Sequence, residues 1–110
     1  MNTQPDLNAV FSALSDPTRR AIVARLMHSE ANVAELTAPF RLSQPTISRH
    51  LNVLEAAGLI AVSRDAQRRP RRLQASGLKL VADWLEPFRS QWEARLDNLE
   101  HHLATEPKEF

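Results

Sequence analysis

The chain has 110 residues, of which 43% are hydrophobic and 25% charged, and it contains no cysteine. This length supports one hydrophobic core, and the composition excludes a disordered protein. The lack of cysteine excludes disulfides, thiolate metal sites and cysteine nucleophiles. No apolar run approaches the roughly 20 residues of a membrane span, and the N-terminus lacks a signal-peptide pattern, so we expect a cytoplasmic protein without membrane contact.

The formal net charge of +1 conceals an uneven distribution along the chain. Residues 41–72 contain seven arginines and two acids, a balance of +5, whereas residues 83–110 contain seven acids and three bases, a balance of −4. A chain polarised in this way can present a basic face to a polyanion while its C-terminal part stays acidic.

Two helices are predicted at the N-terminus. The first ends near Ser15, and its apolar residues recur at helical spacing on one face. In the second, Asp16 is a capping residue and Pro17 occupies the first helical position, where its missing N–H costs nothing. The apolar face of the first helix consists of Leu7, Val10, Phe11 and Leu14.

A third helix is predicted from near Asn32 to Pro39, and a fourth follows it closely. Ser43 caps the fourth helix and Gly58 terminates it. Within "SQPTISRHLNVLEAAGL" (residues 43–59) the apolar residues recur at i, i+4 and i+7, so this side faces the core. The inward residues are Ile47, Leu51 and Leu54.

The opposite face of the fourth helix carries short or planar hydrogen-bonding side chains. Glutamine and arginine offer paired donors and acceptors that match adenine and guanine edges, which indicates DNA reading. For His50 two positions remain open, one against the DNA backbone and one at the edge of the core. The predicted DNA-contacting residues of this helix are Gln44, Pro45, Thr46, Ser48, Arg49, His50 and Asn52.

After Gly58 the pattern changes to a hairpin and then to a long helix. The segments "LIAVSRD" and "PRRLQAS" are short strand candidates separated by an arginine-rich tip. Helical spacing returns at residue 76 and continues to residue 104, and Pro87 is expected to interrupt and kink this helix. The hairpin arginines predicted to contact phosphates or the minor groove are Arg64, Arg68, Arg69, Arg71 and Arg72.

This order of elements predicts a mainly α fold, a winged helix-turn-helix with a two-stranded β-hairpin wing and a long C-terminal dimerisation helix. We expect one domain over residues 1–110, with a DNA-binding core at 7–75 and the dimerisation helix at 76–104. Double-stranded DNA is the predicted partner.

The long C-terminal helix also predicts a homodimer. Trp84, Phe88 and Trp92 can belong either to the core of one protomer or to a dimer seam, and a small domain cannot cover so long a helix on both sides. The residues predicted to form the seam are Leu7, Val10, Phe11, Leu14, Leu85, Phe88, Trp92, Leu96 and Leu99.

The strings "ALSDPTRRAIVARL" and "VAELTAPFRLSQPTISRHLNVLEAAGLI", followed by the arginine-rich wing, resemble the ArsR family of bacterial winged-helix repressors. The resemblance covers residues 7–75. It implies a homodimer built from the first and last helices, a recognition helix in each subunit, and repression of a promoter. The family's metal site on the third helix uses a Cys-Val-Cys sequence, and "NVAELTAPF" offers no such ligand. The tail resembles a subgroup that looks metal-free.

These observations predict a metal-independent repressor with no cofactor, no metal site and no catalytic residue. The alternative is a sensor that holds a metal or a small molecule between the terminal helices, using Asp97, His101 and His102. Asp97 and His101 share a helix face, but the second histidine pair of the related metal sensors is missing. A winged helix that docks onto a protein is a third possibility. The sequence contains neither a glycine-rich loop nor a nucleophile paired with a base, so it gives no indication of an enzyme.

Overall fold

The computed structural model describes residues 6–64 and 67–105. Over these residues the chain forms, in order, α1 (Leu7–Leu14), α2 (Pro17–Leu26), α3 (Val33–Thr37), α4 (Gln44–Ala56), β1 (Ile60–Val62), β2 (Arg71–Leu73) and α5 (Ala75–Thr105). The predicted fold class, a winged helix-turn-helix with a two-stranded wing and a long C-terminal helix, is confirmed.

The helices begin where the capping residues predicted. The Asp16 carboxylate accepts a hydrogen bond from the backbone N–H of Arg19 at 3.0 Å. Asn32 and Glu35 form a reciprocal capping box at the start of α3, with distances of 2.8 and 3.0 Å. The Ser43 hydroxyl accepts a backbone N–H in the first turn of α4 at 3.3 Å. Each cap satisfies a donor that has no partner within its helix.

The core lies between α1, α2, α3, α4 and β1. The buried residues of the described chain are all apolar, and those of α4 form one stripe. Because this stripe is covered, the opposite side of α4 must face outward. The core consists of Val10, Ala13, Ile22, Val23, Leu26, Ala31, Leu36, Ile47, Leu51, Leu54, Ala57, Leu59 and Ile60.

The wing is an antiparallel hairpin in which Ile60 pairs with Leu73 and Val62 pairs with Arg71. Ala31, in the linker between α2 and α3, forms a β-bridge to Arg71 through two backbone hydrogen bonds of 3.1 and 2.8 Å. Sequence reasoning did not predict this bridge. It ties the base of the wing to the helix-turn-helix.

The long helix α5 is continuous over 31 residues. At 1.5 Å per residue it is about 46 Å long. The expected interruption at Pro87 is wrong, because the helix continues on both sides of this residue. Proline removes one backbone donor, but the φ angle that it fixes is helical. None of the described helices combines the length and hydropathy that a bilayer crossing requires.

Two glycines bring the start of α5 against the end of α4. Gly58 has a φ angle of 79°, in the left-handed region that glycine adopts without strain, and it follows the last turn of α4. Gly77 is buried in α5, and a Cβ atom there would lie 2.4 Å from the carbonyl oxygen of Gly58. This close approach needs glycine at position 77.

Candidate nucleic-acid interface

The outward face of α4 carries most of the residues predicted to read DNA. Pro45, Arg49 and Asn52 are exposed on the side away from the buried stripe, and Gln44 is exposed at the first residue of the helix, three residues before Ile47. Val53 is 41% exposed on the same helix. Sequence reasoning did not include Val53 among the DNA-contacting residues. Its position four residues after Arg49 could have indicated that it lies on the same side of the helix. An exposed apolar side chain there suits contact with a thymine methyl group.

Thr46 and Ser48 lie at the margin of this face, because both are half-buried. The Thr46 hydroxyl is 2.9 Å from the hydroxyl of Ser43, and its backbone N–H donates to the same oxygen. Thr46 therefore belongs to the cap of α4 as well as to its front end. The most accessible polar side chains of the helix are Gln44, Arg49 and Asn52.

His50 is not part of the outward face. Its side chain is 18% exposed, and its Nδ1 atom lies 3.9 Å from a carboxylate oxygen of Asp16. The same atom accepts a hydrogen bond of 3.2 Å from Nη1 of Arg19. His50 thus lies at the edge of the core, one of the two positions that the sequence left open, and its contact with DNA stays a prediction. The physical reason is its spacing, since it is three residues after Ile47 and four before Leu54 on the inner stripe.

Arg19 joins α1 to α4 and was missed by sequence reasoning. Its Nε atom donates to the carbonyl of Ala13 at 2.6 Å, and its Nη2 atom donates to the carbonyl of Ser12 at 3.3 Å. The backbone N–H of Arg19 also holds the pKa of the Asp16 carboxyl below its ordinary value. No local pattern reveals the contact with His50, because 31 residues separate the two side chains.

The wing presents exposed arginines near the front of α4. Arg64, Arg68, Arg69 and Arg72 are exposed, and Asp65 and Ala66, between the first two of them, lie outside the described residues. Arg68 lines an open cleft together with Gln44 and Asn32. The structure therefore brings a predicted phosphate-binding side chain beside a predicted base-reading one.

Arg71 has an internal contact in the wing, and its predicted contact with DNA stays a prediction. It is half-buried, and its Nη1 atom donates to the carbonyl of Arg69 at 2.9 Å. Its Nε atom is buried without a partner among the described residues. Arg69 has a φ angle of 47°, which is unusual for a residue other than glycine. The hydrogen bond from Arg71 supports this turn of the wing.

Comparison with known proteins identifies the family. A model of the bacterial regulatory proteins of the arsR family matches residues 16–62. The HTH-type transcriptional regulator Rv2034 of Mycobacterium tuberculosis is 38% identical, over 80% of this chain and 82% of that protein. The chain belongs to the ArsR family. The transcriptional repressor SdpR of Bacillus subtilis is 35% identical to this ArsR-family chain, over 74% of the chain and 91% of the relative.

Solved structures agree with this assignment to the ArsR family of DNA-binding transcriptional regulators. The crystal structure of the ArsR family transcriptional regulator RHA00566 superposes with a TM-score of 0.70 at 36% identity, covering 79% of this chain and 96% of that one. An ArsR-like transcriptional regulator from Rhodococcus sp. RHA1 gives a TM-score of 0.66 at 30% identity, covering 86% and 90%. These relatives are regulators and not enzymes.

The ArsR-family chain exposes an apolar stripe along α5, and each member is 38–62% exposed. Phe11 of α1, 39% exposed, packs edge-on against Trp84 at a ring-centroid distance of 5.6 Å, and Trp84 contacts Phe88 at 4.9 Å. We refer to these residues as the apolar stripe: Phe11, Trp84, Leu85, Phe88, Trp92, Leu96, Leu99 and Leu103.

The apolar stripe differs from the predicted seam at its N-terminal end. Val10 is fully buried in the protomer and packs in the core, so it cannot contact a second chain, which corrects its assignment. Leu7 and Leu14 are half-buried, and Leu14 also packs against the core. Trp84, which the sequence left open between core and seam, joins the stripe, as does Leu103, which was not among the predicted seam residues.

The polar faces of α5 carry local ion pairs. Arg89 donates to Glu86 at 2.6 Å and to Glu93 at 2.7 Å. The side-chain hydrogen bonds from Arg89 hold the pKa of Glu86 below its ordinary value. Asp97, His101 and His102 are exposed on the same helix. Within residues 6–64 and 67–105, no group of three or more histidines and acids is placed to hold a metal ion.

Proposed function

We propose that this ArsR-family regulator is a homodimeric, sequence-specific repressor that blocks its promoter by binding a palindromic operator, without a metal cofactor. The observation that carries the proposal is the outward face of α4, where Arg49 and Asn52 are exposed opposite the buried stripe and Gln44 is exposed at the first residue of the helix. Arg68 of the wing lines one cleft with Gln44 at the start of α4. SdpR, a relative at 35% identity, is a transcriptional repressor.

The two parts of the interface have different roles in this proposal. Gln44, Arg49 and Asn52 contact base edges in the major groove, since their side chains have the required donors and acceptors. Arg64, Arg68, Arg69 and Arg72 contact phosphates, which adds affinity but little sequence information. Residues 7–75 form the DNA-binding part of the protomer, and residues 76–104 form the dimerisation helix.

The apolar stripe supports the homodimer. Eight large apolar side chains are each 38–62% exposed in the protomer, and exposed apolar side chains grouped along one helix face are typical of a protein interaction surface. A second copy of the chain covers this stripe with an identical one, as two-fold symmetry allows. The two recognition helices then meet successive major grooves about 34–36 Å apart.

Metal independence rests on the available ligands. The chain has no cysteine, and α3 begins with a capping box in place of metal ligands. Among the residues that the structure describes, Asp97, His101 and His102 are not grouped with further histidines or acids in a way that could hold a metal ion. A metal-responsive sensor is therefore the less favoured function.

Selection from random DNA tests the proposal. Duplexes retained by the purified protein are sequenced, and we expect an imperfect palindrome whose half-sites are centred about 10–10.5 base pairs apart or a multiple of this spacing. When the selected site is placed across a promoter, addition of the protein should reduce transcription from that promoter in a purified system. EDTA or a modest excess of zinc should change operator affinity by less than about twofold.

Three results contradict parts of this proposal. Absence of any enriched duplex excludes sequence-specific binding. An enriched site without two-fold symmetry excludes the proposed dimer on DNA. A tenfold change of affinity with zinc, about 1.4 kcal/mol of coupling, that disappears when His101→Ala and His102→Ala are combined establishes the sensor instead.

A further inference from the structure

We infer that Arg19 is a positioning residue that fixes the recognition helix α4 relative to the dimer-forming helices, through its hydrogen bond to His50. This inference rests on the proposed function, because it concerns how the outward face of α4, the proposed DNA-reading face, is positioned in one protomer relative to the same face of the second protomer. It assigns to the Arg19–His50 pair a role in sequence preference and not in DNA contact.

One guanidinium group connects two helices. Nε and Nη2 of Arg19 donate to the carbonyls of Ala13 and Ser12 at 2.6 and 3.3 Å. These carbonyls belong to the last turn of α1, where acceptors lack donors within the helix and the helix dipole is negative. Nη1 of the same group donates to Nδ1 of His50 on α4 at 3.2 Å. The planar geometry of the guanidinium sets the direction of all three bonds.

The α1 end of this link leads to the apolar stripe. Phe11 lies one and two residues before the two carbonyls that Arg19 binds, and its ring packs against Trp84 of α5 at 5.6 Å. The α4 end leads to the reading face, since His50 directly follows Arg49 in the helix. A rotation of α4 that breaks the bond to His50 therefore also moves Arg49 relative to α1.

Apolar packing alone does not fix this rotation firmly. The stripe of Ile47, Leu51 and Leu54 holds α4 on the core through non-directional contacts. Contacts to base edges need side chains placed to within about 0.5 Å. A directional, charge-assisted hydrogen bond at the edge of the stripe supplies the missing constraint.

Arg20 provides a matched control in the same helix. Its Nη1 atom donates to the carbonyl of Leu14 at 2.8 Å, also at the end of α1. Its side chain is exposed and forms no hydrogen bond to α4 in the described residues. Arg19→Gln and Arg20→Gln therefore remove the same charge beside the same helix end, and only the first breaks a link to α4.

The test compares these variants on a duplex selected by the wild-type protein and on a scrambled duplex of equal length. We expect Arg19→Gln to weaken binding to the selected duplex about tenfold or more and binding to the scrambled duplex less than about threefold. The sedimentation coefficient should stay that of the wild type. Arg20→Gln should change both affinities less than about twofold.

A second pair of variants separates positioning from folding. His50→Leu removes the acceptor and should reproduce the loss of preference. His50→Asn places an amide oxygen near the Nδ1 position and should retain more operator affinity than His50→Leu at an equal melting temperature. The combination of Arg19→Gln with His50→Leu should lose no more than the worse single variant, since both break one interaction.

Equal loss on both duplexes, additive loss in the double variant, or no difference between His50→Asn and His50→Leu would overturn the inference. If the wild type selects a duplex and Arg19→Gln keeps full preference for it, the inference fails while the proposed function stands. If the wild type selects no duplex, the proposed function fails and the inference fails with it.

Discussion

At the scale of single residues, Gly77 gives the clearest stability prediction. Replacing a helical glycine with alanine ordinarily stabilises a protein by up to about 1 kcal/mol. Here a Cβ atom would lie 2.4 Å from the carbonyl oxygen of Gly58, and this atom belongs to backbone that cannot rotate away. Gly77→Ala should therefore destabilise the protein, by about 1–3 kcal/mol as for an overpacked core.

Urea unfolding followed by circular dichroism measures this change. Ser76→Ala is the matched control, since Ser76 is exposed and occupies the preceding position of α5. It should alter the free energy of unfolding by no more than about 0.5 kcal/mol. A Gly77→Ala protein as stable as the wild type would show that α5 does not approach α4 this closely.

Residue roles were predictable where the cause lies close in the sequence. Asp16 and Ser43 cap their helices through a backbone N–H only three residues away. The contacts of His50 and Arg71 within the protomer were not predictable, because their partners are distant or depend on the turn that the wing adopts. The contact of His50 with Arg19 spans 31 residues, so no local pattern in the sequence indicates it.

At the scale of elements, the recognition helix and the wing should fail in different ways. Arg49→Ala removes a side chain exposed on the reading face of α4 and should cost about 1–3 kcal/mol on the operator. It should also relax base preference at one position in each half-site. Arg68→Gln combined with Arg69→Gln should weaken selected and scrambled duplexes alike, because phosphates are common to both.

Affinities measured at several salt concentrations decide between these roles. For the wing variant, the plot of the logarithm of the binding constant against the logarithm of salt concentration should be shallower. Its slope should decrease by roughly one unit for each phosphate that the variant no longer neutralises. Arg49→Ala and the wing variant serve as controls for one another, since each removes arginine from the basic surface. If the wing variant loses sequence preference while Arg49→Ala keeps it, the wing reads the DNA.

The order of elements was predictable because caps, prolines and apolar spacing are local signals. The pairing of Ala31 with Arg71 was not, since a single buried residue in a linker gives no strand pattern. The continuity of α5 through Pro87 was also missed. A proline in a long exposed helix removes one hydrogen bond, and the intact turns on either side maintain the helix.

At the scale of the whole molecule, one protomer is far from compact. Its radius of gyration is 19.1 Å, compared with about 13 Å for a compact chain of this length. The difference reflects α5, which projects beyond the core with its apolar stripe exposed. Periodicity predicted this stripe but could not tell which neighbour covers each residue, which is why Val10 was placed in the seam while its side chain fills the core.

The dimer prediction follows from the centre of the stripe. Trp92 is 52% exposed in the protomer and lies between Phe88 and Leu96 on one face of α5. Trp92→Glu places a carboxylate where two stripes meet, and symmetry repeats the change on the second copy. Burying a charge without a partner is strongly unfavourable. We expect a monomer or aggregate in sedimentation velocity where the wild type is a dimer, with operator affinity lost in parallel.

Ser90→Glu is the matched control for this prediction. Ser90 is two residues before Trp92, so its side chain points about 160° away from the stripe on the same helix. It adds the same negative charge and should leave the dimer and its operator affinity intact. If both variants remain dimeric, the stripe is not the seam, and some other surface must set the spacing of the two recognition helices. If both variants dissociate, burial at position 92 is not the cause, because Ser90 does not lie in the stripe. Dissociation would then result from the additional negative charge on α5, which both variants share.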